Sequence, residues 1–364
     1  MAVRKRAKGM GKQSGSLVQR IPFGVGFTVL AVLFFAVLLI SVCVGSASLN
    51  AADALRLLLA KVPGMGGLMD TEGIGEVYGR ILYKVRLPRV CLAGLCGAGL
   101  SLTGAAYQGL FRNPLADPHI LGVSSGAALG ATTAMLFGSG AWFGGLSITG
   151  IAAFLGGLAT VFFVYHIAGM GGTVQTLHLL LTGTAVSSFL SAMISFLMTR
   201  NQDELKRIYM WTLGSFDAAS WEKVRFLGIF LLLCGAVLFA FSRELNLLAT
   251  GEDAAVTLGA SLVYTRAAVI VAGTFLVAAC VSVSGVIGFV GLIVPHCMRL
   301  VFGPEHKRLL PCAALCGALF MIFCDMLART VTAPTETPVG VVTAMVGAPY
   351  FIILLARSKR GRRG

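Results

Sequence analysis

Long apolar runs separated by short polar breaks dominate the chain. Val90 to Phe111 holds no Asp, Glu, Lys or Arg, and after Asp117 the next charged side chain, His apart, is Arg200. A helix needs about 20 apolar residues to span a bilayer. Runs of this kind predict membrane helices near 22–45, 88–109, 118–137, 146–167, 177–199, 224–242, 265–284, 286–302, 310–329 and 338–356. The chain therefore reads as an all-α, polytopic membrane protein of about ten transmembrane helices. Between the second and third spans lies Arg112-Asn113-Pro114-Leu115-Ala116-Asp117-Pro118. Both prolines fix φ and lack an N–H, so helices stop before them or start at them. Asp117 is expected to cap a helix whose first residue is Pro118.

Composition agrees with the pattern. Mean hydropathy is +0.86 and charged residues are 12% of the chain, against about 25% in soluble domains. The net charge of +14 does not indicate nucleic acid, because the basic residues sit at the two ends and between apolar runs. Arg4, Lys5, Arg6, Lys8, Lys12 and Arg20 precede the first run; Arg357, Lys359, Arg360, Arg362 and Arg363 follow the last. An even span number and the positive-inside rule then put both termini in the cytoplasm. The expected organisation is a basic tail over 1–20, one transmembrane domain over 21–357, and a second basic tail over 358–364. The first run is too long for the apolar core of a usual signal peptide.

This topology leaves Arg80, Lys84, Arg86, Arg89, Lys206, Arg207 and Arg329 on the external side. A basic external face fits an acidic partner, or equally arginines that snorkel to headgroups. Two external segments, 46–85 and 200–223, are too long to be simple turns; the second carries Tyr209, Trp211, Phe216 and Trp221 and reads as an interfacial helix.

Candidate chemistry is sparse. Gly11-Lys12 is followed by Gln13, so no phosphate-binding GxxxxGK[ST] loop is present, and no HExxH occurs. The nine cysteines all lie in apolar runs without a CxxC pair and read as packing residues, with no disulfide and no metal centre. Asp325 is the carboxylate well inside a predicted span. Arg329 lies four residues on, where a helix brings the two together as an ion pair. Gly122, Gly126 and Gly130 form a small-residue ridge for close helix packing. No catalytic, metal or cofactor site emerges. An ion-coupled secondary carrier would want a midplane ion site, and a membrane enzyme would want clustered polar groups.

The ordered motifs resemble one family over nearly the whole chain, from Arg86 to Arg357. They are Arg86-Leu87-Pro88-Arg89; Gly104 with Gln108; Asn113-Pro114-Leu115-Ala116-Asp117-Pro118 with Leu121-Gly122-Val123-Ser124-Ser125-Gly126-Ala127; Trp211 with Gly214-Ser215; and Leu258-Gly259. They continue with Gly285-Val286-Ile287-Gly288-Phe289-Val290-Gly291-Leu292-Ile293-Val294-Pro295-His296 and Arg299, Asp325 with Arg329, Pro338-Val339-Gly340-Val341-Val342-Thr343-Ala344, and Gly347-Ala348-Pro349-Tyr350-Phe351. This resembles the permease subunits of ABC importers for iron–siderophore complexes, haem and vitamin B12 (FecCD-like, type II importers).

The resemblance implies a subunit of the bacterial or archaeal cytoplasmic membrane that is itself no enzyme. Its implied partners are ATP-binding cassette ATPases, an extracytoplasmic substrate-binding protein, and a second permease copy, identical or paralogous. A siderophore is the expected cargo, with haem or cobalamin as alternatives and an ion-coupled carrier more distant. By the same resemblance, a coupling helix near 252–259 meets the ATPase through Asp253, Ala254, Ala255, Val256, Leu258 and Gly259. The residues themselves read as a short helix that Asp253 starts and Gly259 ends. Arg86, Arg89 and Arg329 match arginines that receive acidic side chains of the binding protein. Asn113 and Leu115 match a cytoplasmic gate, and Gln175 and Thr176 match a second constriction. His296, after Pro295, reads as part of a kinked, packed helix rather than a metal ligand.

Overall fold

The computed structural model describes residues 22–44, 51–61, 76–138, 142–143, 146–170 and 176–360. Within them every predicted span coincides with an apolar helix. These are α1 (Phe23–Cys43), α4 (Leu87–Leu110), α5 (Val123–Phe137), α6 (Ile148–Gly169), α7 (Thr176–Arg200), α9 (Trp221–Ala240), α12 (Leu262–Ser284), α13 (Val290–Phe302), α14 (His306–Thr330) and α15 (Val339–Arg360). Short helices complete the fold: α2 (Ala51–Ala60), α3 (Glu76–Ile81), α8 (Leu205–Thr212), α10 (Ser242–Ala249) and α11 (Glu252–Thr257). A π-helical segment, Leu82–Arg86, joins α3 to α4, so Glu76 to Leu110 forms one 35-residue rod. A 3-10 turn, Gln202–Glu204, leads into α8, and a two-residue antiparallel pair joins Trp142–Phe143 with Leu146–Ser147.

Among the described residues, seven helices are long and apolar enough to cross a membrane, as in a multi-pass membrane protein. Two of the others are markedly short. α5 has 15 residues and α13 has 13, about 20 Å each at 1.5 Å per residue, less than the hydrocarbon thickness of about 30 Å. Each is preceded by irregular backbone, 117–122 and 285–289. Such backbone is tolerated at membrane depth only when buried in protein. Leu121 and Ile287 are indeed fully covered.

The predicted helix start at Pro118 is displaced. Asp117 Oδ1 accepts from His119 N at 2.8 Å, closing a turn, and α5 begins only after Gly122, which has φ +84°. His119 holds the turn in place: Nε2 lies 3.0 Å from Ile287 O, and Nδ1 contacts Ser124 Oγ. A tertiary contact to the segment before α13 thus replaces the local cap.

α4 is the central helix and packs against α14, α13, α9 and α12. Close backbone approach explains its glycines. A methyl at Gly104 would collide with the Gly291 backbone of α13, and one at Gly97 with Gly317 of α14. Gly126 and Gly130 of the predicted ridge pack likewise on Gly156 and Ala152 of α6. Gly122 is the N-cap of α5 and also abuts Thr160 of α6 and Ser187 of α7.

Candidate functional site

At the end expected to face outward, three arginines organise the structure. Arg86, Arg89 and Arg329 are 4%, 8% and 7% exposed. Arg86 donates to Val42 O at 3.1 Å and Cys43 O at 2.8 Å. Arg329 donates to Val44 O at 3.0 Å, Ser41 O at 3.2 Å and Ser41 Oγ at 2.8 Å. The last carbonyls of a helix have no intrahelical donor. Two cations from other helices thus cap the C-terminus of α1, where the helix dipole also favours positive charge.

Arg89 carries the remaining charge. Its guanidinium contacts Asp325 Oδ1 at 3.0 Å, Glu336 Oε2 at 2.8 Å and Asp217 Oδ1 at 3.3 Å. Arg329 Nε lies 3.1 Å from Asp325 Oδ2, the ion pair expected from spacing. Asp325 is 1% exposed, so one buried carboxylate is shared by two guanidiniums. Glu336, in the turn after α14, has its carboxyl held above the usual range. Burial is the main cause and a hydrogen bond to Asp217 adds to it, while the Arg89 hydrogen bond opposes. Asp217 and Glu336 had no motif to mark them; they join the site only through the fold.

From its ninth residue to its C-terminal end, α7 presents Thr184, Ser188, Ser191, Ser195 and Thr199, all exposed. Their spacing places them in one narrow sector of the helix. Ser188, Ser195 and Thr199 donate to the carbonyl four residues back at 2.9–3.0 Å, which leaves the oxygen lone pairs facing outward. Ser191 and Ser195 share an open recess of about 320 Å³ with Ser124, Ser125, Tyr209 and Thr212. This stripe was visible in the sequence as a 4-3-4-4 spacing of hydroxyls, although no motif singled it out.

At the opposite end, Asn113 and Leu115 are half-buried in a tight turn. Leu115 N donates to Asn113 Oδ1 at 2.9 Å, and Asn113 N to Gln108 O at 3.1 Å. Arg112 beside them takes φ +49°. Thr176 opens α7 and lines a cavity of about 560 Å³ with Phe111, Arg112, Glu252 and Arg266. Gln175 lies outside the described residues. Asn113 and Leu115 do not line that cavity.

The predicted coupling helix is present as α11. Asp253 is not its cap: Gly251 precedes the helix and no side chain caps it. The chain reverses at Gly259, whose N–H donates to Val256 O at 2.9 Å. Ala254, Val256 and Leu258 are exposed, the last two at 56% each. Ala255 is fully buried inside the chain and so is not offered to a partner. The helix must seat one side on its own protein, and Ala255 is on that side. Among the described residues, no group of three His, Cys, Asp or Glu side chains is placed to hold a metal.

A family model for the FecCD transport family matches residues 32–357. The chain belongs to that family. It is 40% identical over 342 residues to an uncharacterized ABC transporter permease, YvrB of Bacillus subtilis, covering 93% of this chain and 94% of that one. It is 43% identical over 285 residues to the cobalamin import system permease BtuC of Halobacterium salinarum, covering 78% and 75% respectively. A solved inward-facing ABC transporter of the metal-chelate type superposes with a TM-score of 0.78 at 36% identity, covering 91% of this chain and 98% of that one. Other relatives are named for molybdate, hemin and ferric dicitrate transport. These relatives are permease subunits, and no enzyme family is among these matches.

Proposed function

We propose that this chain is the translocation subunit of an ATP-driven importer in a bacterial or archaeal cytoplasmic membrane, with ten crossings and both termini inside. It would work with separate ATPase subunits, an extracytoplasmic binding protein and a second permease copy, identical or paralogous. The observation that carries the pathway is the hydroxyl stripe of α7. Five exposed hydroxyls on one sector of an apolar helix are poorly matched to lipid and well matched to a watery path shared with a second copy. A wall of neutral acceptors without fixed charge holds a bulky polar cargo weakly, as release requires.

The cargo we propose is a ferric chelate, which the 36% identical metal-chelate transporter supports. A corrinoid is the second reading, favoured by the 43% identity to a cobalamin permease. Asn113 and Leu115, with Gln175 and Thr176, are proposed gates. Asp253, Ala254, Val256, Leu258 and Gly259 form the proposed ATPase contact, with Ala255 anchoring it from inside.

Docking of the binding protein through Arg86, Arg89 and Arg329 takes a particular form here. All three are engaged within the chain, and at Arg89 an incoming carboxylate must exchange for one already bound. Glu336 and Asp217, the more exposed partners of Arg89 at 36% and 61% for their side chains, are the groups to be displaced.

The test is uptake into proteoliposomes holding the permease with its ATPase and binding protein. Radio-iron-labelled hydroxamate chelate, haemin and cyanocobalamin are offered separately. ATP-dependent, vanadate-sensitive uptake of the chelate supports the proposal; uptake of cyanocobalamin alone selects the second reading. Uptake driven by a proton gradient without the ATPase would refute both.

A further inference from the structure

α11 hangs between two glycines in conformations that side-chain-bearing residues rarely adopt. Gly251 has φ +122° and Gly259 φ +86°. A Cβ at either would meet nothing within 4 Å, so it is backbone conformation and not crowding that requires glycine there. The helix between them has six residues and seats Ala255 in the core. Its polar tie to the rest of the chain runs through Glu252. The Oε1 of Glu252 lies 2.6 Å from a guanidinium nitrogen of Arg266, which sits 14 residues on, within α12. Charge-assisted bonds of this length are short and directional.

The pair stands at the wall of the 560 Å³ cavity that also touches Arg112, Phe111 and Thr176. Packed interiors resist displacement, because they contain few voids larger than a water. Here room exists beside the pair, facing the end of α4 and the start of α7. α12 then carries any displacement inward, since it packs against α4, α6 and α9.

We infer that Glu252 and Arg266 form a strut that transmits movement of α11 to the gate segment at Arg112 and Thr176, making them positioning residues for ATP-coupled transport. The two glycines let α11 swing as a unit, and the ion pair converts the swing into displacement of α12. This rests on the reading of α11 as the ATPase contact.

The test uses the intact complex of permease, ATPase and binding protein in lipid nanodiscs and proteoliposomes. ATP hydrolysis is measured beside uptake of whichever of the three probes above the parent complex transports. Glu252→Gln and Arg266→Gln should still copurify with the ATPase and hydrolyse ATP at the parent rate. Uptake per ATP should fall about fivefold, the upper range for a partly exposed ion pair. The charge-reversed double variant Glu252→Arg with Arg266→Glu should recover most of the loss, which a merely local packing role would not produce.

Unchanged uptake per ATP in the single variants would overturn the strut. So would a double variant as poor as the singles. Should Arg266→Gln fail to assemble, Arg266→Lys keeps the charge while changing the reach. Partial loss with Lys supports the strut, and full activity refutes it. Leu258→Asp separates the two levels. If Leu258→Asp leaves assembly and uptake intact, the reading of α11 itself fails. If it abolishes assembly while Glu252→Gln changes nothing, only the strut falls.

Discussion

Replacing Asp325 by Asn removes the charge at the centre of the Arg89–Arg329 cluster while keeping its volume. The carboxylate accepts from Arg89 Nε at 3.0 Å and faces Arg329 Nε at 3.1 Å. The two arginines do not lose equally. Arg89 keeps Glu336 at 2.8 Å and Asp217 at 3.3 Å. Arg329 keeps neutral hydrogen-bond acceptors among its described contacts, Ser41 and the carbonyls of Val44 and Asp325. One buried guanidinium then has no carboxylate in direct contact among the described residues, only the more distant charge of Glu336. Breaking a buried pair from one side costs about 3–5 kcal/mol, and the retained hydrogen bonds put the expected loss near the lower figure. Arg329→Met should cost less, about 1–3 kcal/mol, because Asp325 keeps Arg89 while the α1 carbonyls lose donors. The double variant removes both charges, so its cost should fall short of the sum by about 1–3 kcal/mol. The assay is denaturant unfolding of the purified chain in detergent, followed by tryptophan fluorescence. An Asp325→Asn loss below about 1 kcal/mol, the size of an average substitution, or strict additivity in the double variant, would refute the reasoning.

Three further outcomes are expected. Gly104→Ala drives a methyl into the Gly291 backbone and should cost about 1–3 kcal/mol by overpacking; an unchanged unfolding midpoint would rule out the close α4–α13 crossing. Glu336 has a raised pKa, so the fold favours its protonated form. That contribution is complete below the ordinary glutamate range and is lost as pH rises through the raised value. Protonation also removes one of the carboxylates held by Arg89, so binding-protein affinity should rise as pH falls through this region, and Glu336→Gln should flatten the dependence; a Gln variant with the parent's pH profile would count against the exchange. Leu258→Asp places a charge on the exposed α11 surface where burial against a partner would demand its desolvation, and should abolish copurification of the ATPase.

Much of this protein was legible in one dimension, and the reasons are local. A run of about 20 apolar residues can be satisfied only as a helix in lipid, so the positions of the apolar helices from Phe23 to Arg360 follow from composition along the chain. The Asp325–Arg329 pair was equally readable, because helical spacing alone brings positions four apart together. Other features required the fold. Arg89 meets Asp325 across 236 positions, and Asp217 and Glu336 reach the same guanidinium from two separate loops; no spacing rule connects them. The true start of α5 at Val123 was hidden because His119 is held by Ile287, a distant backbone atom that outcompetes the local cap at Asp117. Ala255 looked like its neighbours in sequence, and only packing against its own chain removed it from the partner-facing surface. Sequence by itself determined a helical membrane permease and its family, since lipid imposes the same local demand on every segment. Tertiary structure alone decided that Arg86, Arg89 and Arg329 are already engaged within the chain, because the partners met in a buried cluster depend on which elements converge and not on their order along the chain.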